Sequence, residues 1–121
     1  MKGTYLGEFE EIVLLATGIL DDDAYGVAIR KEIEKQTRRP VNIGAVHTAL
    51  HRLEEKGYLK SKFGEATMVR GGKRKRIFTL TAFGLKTLRK AQSLRSNMWS
   101  QLSLARRGAD PKASNVIIQK S

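Results

Sequence analysis

The chain contains no cysteine, which excludes disulfide staples, thiolate metal sites and cysteine nucleophiles, and fits a reducing compartment. Proline is scarce, with Pro40 and Pro111 its two occurrences, each read as closing a helix. No apolar run approaches the roughly 20 residues that span a bilayer, and the N-terminus lacks the basic-then-apolar order of a signal peptide. A cytoplasmic location is expected, without membrane association. Ser-His-Asp, P-loop and dinucleotide patterns are missing as well: Gly71-Gly72 is followed by cations rather than by a helix start. The chain is therefore not expected to be an enzyme, and no cofactor is called for.

Acidic residues are missing from one half. Residues 1–65 carry 10 basic and 11 acidic side chains, whereas residues 66–121 carry 13 basic ones and a single acid, Asp110. Nearly all of the net charge of +11 thus lies in the second half. A one-sided positive field attracts polyanions, of which nucleic acid and anionic membrane surfaces are the usual examples. With 40% hydrophobic and 29% charged residues, the composition is that of a folded globular protein. At 121 residues it has room for one core and an appendage, not for two cores.

Phe9, Ile12, Val13, Ala16, Ile19 and Leu20 recur at three- and four-residue spacing, which predicts a first helix from Glu8 to Leu20. The run Asp21-Asp22-Asp23 interrupts the pattern and offers an N-cap for a second helix from Ala24 to Thr37, with Tyr25, Ile29 and Ile33 on one side. Asn42 is placed to cap a third, from Ile43 to Lys56, whose inward residues are Val46, Ala49, Leu50 and Leu53. Gly57 stands where a left-handed stop is wanted. Tyr58–Phe63 and Arg76–Leu80 read as short strands. Between them, Arg70, Lys73, Arg74, Lys75 and Arg76 crowd a glycine-bearing loop and repel one another, so their value is not expected to lie in folding. Thr81 can cap a last helix that runs to Arg107 and is ended by Gly108 and Pro111. Its stripe of Leu85, Leu88, Ala91, Leu94, Met98, Trp99, Leu102 and Ala105 outruns a domain of this size and calls for a partner chain.

The fold class expected is mainly α with a small β-hairpin: a winged helix-turn-helix over residues 1–80, a C-terminal dimerisation helix over 81–107, and a tail, disordered in this reading, over 108–121. In such a fold the third helix enters the major groove and the hairpin wing lies along the backbone. His47, Thr48, His51 and Arg52 are the candidate base-reading residues, and the planar fork of Arg52 matches guanine O6 and N7 together. Tyr25, Asn42, Gly44, Ala45, Lys73, Arg74, Lys75 and Arg76 are candidate contacts to the DNA backbone, which position without reading sequence. Leu88, Ala91, Leu94, Met98, Trp99 and Leu102 form the expected dimer interface.

Other readings of the same residues stay open. Lys73–Arg76 resembles a short nuclear localisation signal, and a basic loop can also sit on anionic lipid, but neither accounts for the capped helix before it. His47 and His51 are spaced as in a zinc-protease helix, but residue 48 is Thr where the catalytic Glu belongs and no third ligand accompanies them, so no metal is expected. A nucleic-acid or anionic-surface binder without sequence preference remains the alternative to a sequence-specific regulator.

The segment from Asn42 to Leu59, NIGAVHTALHRLEEKGYL, resembles the recognition-helix region of PadR transcriptional regulators. The stretch RKRIFTLTAFG, Arg74 to Gly84, is similar to the wing strand and start of the last helix in that family, and Tyr25-Gly26 to the start of its second helix. The likeness spans Glu8 to Leu102. It departs from the common pattern at His47, where tyrosine is frequent, and at Thr48, where proline is frequent. The resemblance implies a winged-helix repressor that dimerises through the C-terminal helix, binds an inverted-repeat operator in double-stranded DNA, and leaves it when a small-molecule effector binds. A single C-terminal helix resembles the short subgroup, some of whose members hold flat aromatic molecules between tryptophans at the dimer centre. Trp99 lies about one turn further along that helix, where it is both a candidate effector contact and a candidate packing residue.

Overall fold

A computed structural model of the chain describes residues 6–66 and 74–109. It divides into two units, one ending at Leu88 and one beginning at Arg89.

In the first unit, α1 (Glu8–Leu20) carries Glu8, Glu10 and Glu11 in its first turn, complementing the positive end of the helix. Val13, Leu14 and Ala16 are buried, and Thr17 joins them by donating its hydroxyl to the Val13 carbonyl at 2.7 Å. Ile19, expected inside, is 59% exposed. The helix is rotated toward Leu14 and Thr17, and at about 100° per residue this places Ile19 beyond the edge of the covered face.

The aspartate run does not cap α2. Asp21 takes a positive φ of 53° at the end of α1, and Asp21–Asp23 form a 3-10 turn. Helix α2 (Gly26–Thr37) starts two residues later than the expected Ala24, with Tyr25 as its extended N-cap residue. Ala24 is fully buried, and its carbonyl accepts the Phe78 N–H at 2.8 Å. That backbone bond to a strand holds residue 24 out of helical geometry. Ile29 and Ile33 enter the core, and Arg38, left-handed at φ 59°, ends the helix before Pro40.

Helix α3 (Ile43–Glu55) follows its pattern closely. Asn42 Oδ1 accepts the Ala45 N–H at 3.1 Å, and Val46, Ala49, Leu50 and Leu53 are all buried. Gly57 has φ 84°, the left-handed conformation the sequence called for.

Strands β1 (Leu59–Ala66) and β2 (Arg74–Leu80) pair antiparallel, with Leu59 opposite Leu80, Phe63 opposite Arg76, and an irregularity between Phe63 and Ala66. Both are longer than the expected Tyr58–Phe63 and Arg76–Leu80, because the polar residues toward the tip pair through their backbones and carry no hydrophobic alternation. The tip itself, with Met68, Val69, Arg70, Gly71, Gly72 and the expected phosphate contact Lys73, lies outside the described residues.

Thr81 caps α4 (Ala82–Ala109) as expected. Its hydroxyl oxygen accepts the Gly84 N–H at 2.9 Å and donates to the Gly57 carbonyl at 2.7 Å, tying the start of α4 to the end of α3. The helix passes Arg107 and includes Gly108, so its 28 residues rise about 42 Å. Pro111 and the rest of the tail lie outside the described residues. Leu88 is buried in the core of the first unit rather than free for a partner. It stands one turn after buried Gly84 on the same side of the helix, which packs back on Tyr58 and Leu80.

Candidate nucleic-acid interface

The four core residues of α3 fix its orientation, so His47, Thr48, His51 and Arg52 face outward and are exposed. The Nε2 of His51 lies 3.5 Å from the Glu55 carboxylate one turn on. Among the described residues the Arg52 side chain makes no hydrogen bond or ion pair, which leaves its planar fork of donors available. His47 is turned toward Gly26 at the start of α2.

Beside this face stands the hairpin. Tyr25, Gly26, Val27, His47, His51, Glu54, Lys75, Arg76 and Phe78 surround a cleft of about 390 Å³. The Lys75 ammonium sits 4.0 Å from the centre of the Tyr25 ring, joining β2 to the start of α2. The cleft therefore gathers the outer face of α3, the start of α2 and two wing cations. Asn42 and Ala45 line a second cleft, of about 520 Å³, with Phe9, Ile12 and Val41 on its apolar side. Gly44 is exposed and packs near the Asn42 side chain: a Cβ there would stand 2.9 Å from Oδ1. Asn42 Oδ1 is occupied in the helix cap, leaving its amide NH2 as the group open to another partner.

The expectation that the wing cations do nothing for folding is corrected by Arg76 and Arg74. The Arg76 guanidinium donates to Glu54 Oε1 and to Ser61 Oγ, both at 2.9 Å, while the Ser61 hydroxyl donates to Glu54 Oε2 at 2.6 Å. It also lies within 6 Å of the Phe63 and Phe78 ring centres, at 5.8 and 5.6 Å. Arg74 Nε donates to the Gly64 carbonyl at 2.8 Å. A carboxylate from α3 thus offsets one wing charge. Neither Glu54 nor Ser61 stood out in the sequence, since Glu54 precedes Arg76 by 22 residues and only the fold brings them together.

In the second unit, Leu94, Met98, Trp99 and Leu102 are between 44% and 62% exposed, and Ala91 is half-buried. Among the described residues no three His, Cys, Asp or Glu side chains gather closely enough to hold a metal ion, and no helix is long and apolar enough to cross a membrane.

Comparison with solved structures finds the same architecture in several proteins. A PadR-like transcription factor from Bacteroides fragilis has 22% identity and a TM-score of 0.64, over 78% of this chain and 85% of the other. A transcriptional regulator from Clostridium thermocellum has 24% identity and a TM-score of 0.62, over 81% and 95%. A PadR family transcriptional regulator from Eggerthella lenta has 24% identity and a TM-score of 0.60, over 78% and 82%. At these identities the likeness speaks for the fold. No curated protein matches the chain. The model of the transcriptional regulator PadR-like family matches residues 16–90, a span from the middle of α1 through both strands into α4. The chain belongs to the transcriptional regulator PadR-like family and is a DNA-binding regulator.

Proposed function

We propose that the chain is a cytoplasmic, homodimeric repressor that reads an inverted-repeat operator with α3 and is released by a small-molecule effector. The observation that carries the DNA-reading part is the outward face of α3, hydrogen-bonding and exposed, set beside a basic hairpin. Residues 1–80 act as the DNA-binding domain and 81–107 as the dimerisation helix, which α4 carries on to Ala109, so the tail expected from residue 108 begins two residues later. His47, Thr48, His51 and Arg52 contact base edges. Tyr25, Asn42, Gly44, Ala45 and the wing cations from Lys73 to Arg76 lie along phosphates. Dimerisation draws support from the exposed apolar run of Leu94, Met98, Trp99 and Leu102. Selection of bound duplexes from a random pool, at near-physiological salt, tests the proposal. Recovery of a palindrome with half-sites about 34 Å apart is expected, and unbiased recovery by folded protein would favour a nonspecific polyanion binder.

Trp99 is the candidate effector contact. Its indole, 44% exposed, also suits simple packing between protomers. Trp99→Ala is expected to raise the dimer dissociation constant, measured by sedimentation. An aromatic ligand whose affinity is the same for variant and wild type is not held by this indole.

The Glu54–Arg76 pair gives a prediction of definite sign. Glu54→Gln keeps an acceptor for Arg76 but removes the charge that offsets it. Affinity for unrelated duplex DNA rises, and the plot of log affinity against log salt steepens by about one unit per subunit. Because the two side chains are 28% and 48% exposed, stability changes by no more than about 1 kcal/mol. A fall in affinity would show that Glu54 serves to position the wing.

A further inference from the structure

Gly26 is buried in the first turn of α2 and does not adopt a positive φ, so its backbone freedom goes unused there. Alanine is the better helix former by about 1 kcal/mol. What the position does require is space. A Cβ on Gly26 would stand 2.6 Å from Cε1 of His47, with Nε2 and Nδ1 at 3.3 and 3.4 Å on either side. The Nδ1–Cε1–Nε2 edge of the imidazole therefore faces the glycine, and the three nearest side-chain atoms to that Cβ position all belong to this ring. Both residues line the cleft between α3 and the hairpin. His47 is an exposed residue whose ring edge lies over the notch at Gly26.

We infer that Gly26 is a specificity-determining positioning residue: it touches no base itself, but seats the His47 imidazole in the orientation from which His47 reads one. The inference rests on the proposed role of His47 in base reading. Filling the notch moves a side chain at the surface and not a segment of backbone, so Gly26→Ala swings the ring away while the core stays intact. An imidazole that has lost its seat presents its donor and acceptor at a different place in the groove, and its discrimination falls about tenfold.

The experiment compares wild type, Gly26→Ala, His47→Ala and the double variant, each as the full chain. It measures base preference at every operator position and the melting temperature. Expected is a loss of about tenfold in discrimination with Gly26→Ala, at the same base pair that His47→Ala affects and with no further loss in the double variant. Any fall in melting temperature with Gly26→Ala is expected to be recovered when His47 is also alanine, which tests the steric contact without DNA. Unchanged preference with Gly26→Ala where His47→Ala does alter it overturns the inference and leaves the base-reading role standing. No effect of His47→Ala on preference removes the base-reading role and the inference with it. A loss with Gly26→Ala that persists fully in the His47→Ala background overturns the inference, because Gly26 would then act through something else.

Discussion

Replacing Gly84 by alanine lowers the melting temperature by about 10–20 °C. Gly84 is buried where α4 leaves the hairpin, and a Cβ there would overlap the Tyr58 carbonyl oxygen and stand 2.9 Å from Leu80 Cδ1. The obstacle is backbone, so no rotamer change relieves it. The same Tyr58 carbonyl accepts the Thr81 N–H at 3.1 Å, and Thr81 in turn caps the helix at Gly84. Moving α4 outward to admit a methyl group therefore strains the cap and loosens buried Leu88 one turn later. Overpacking of this kind costs about 3 kcal/mol, against less than about 1 kcal/mol gained from the helix propensity of alanine. Thermal unfolding followed by circular dichroism measures the difference. Gly18→Ala serves as control: it lies within α1, where the nearest atom to the new Cβ is Leu80 Cδ2 at 3.4 Å, and it is expected to be neutral or slightly stabilising. A Gly84→Ala variant that melts like wild type would show that α4 does not depend on this close approach.

Features legible in the sequence are those decided within a few residues. Asn42, the four-residue inward stripe and Gly57 define α3 by local rules, and the outward candidates His47, Thr48, His51 and Arg52 follow as the complement of that stripe. Thr81 was equally visible as a cap, but its second hydrogen bond, to Gly57, joins residues 24 apart and has no signature in either segment. Long-range contacts explain the other differences. Ala24 looked like the start of a helix until the bond from Phe78 fixed its carbonyl, and that bond follows from the placement of β2. Ile19 belonged to the first helix's apolar set by spacing, but which part of a broad stripe is covered depends on the neighbours that α1 meets. Leu88 satisfied the pattern of a dimer stripe just as well as it satisfies its own core. The wing was the subtlest case. Lys75 and Arg76 read as a plain run of charge, and only the fold sets one over Tyr25 and pairs the other with Glu54.

Arg52→Ala and Arg74→Ala each remove one cation, but their effects on DNA recognition differ in kind. Arg52 projects from the outer face of α3 without a protein partner among the described residues, so both prongs of its guanidinium are available to a guanine edge. On the proposed base-reading role, its loss is expected to remove discrimination worth about 1–3 kcal/mol at one base pair in each half-site, or roughly ten- to hundredfold. Arg74 is held on the hairpin by the Gly64 carbonyl, with its guanidinium carbon 5.7 Å from the Phe63 ring centre. In the proposed role it would carry charge to the DNA backbone and no pattern to a base, so Arg74→Ala is expected to weaken operator and unrelated duplex by the same factor and to flatten the salt dependence by about one unit per subunit. Affinities for the selected operator, for single-base variants of it and for an unrelated duplex, measured at several salt concentrations, separate the two behaviours. Equal losses on every duplex for both variants would mean that Arg52 meets phosphate as Arg74 does, and base reading would then rest on Thr48 and the two histidines of α3.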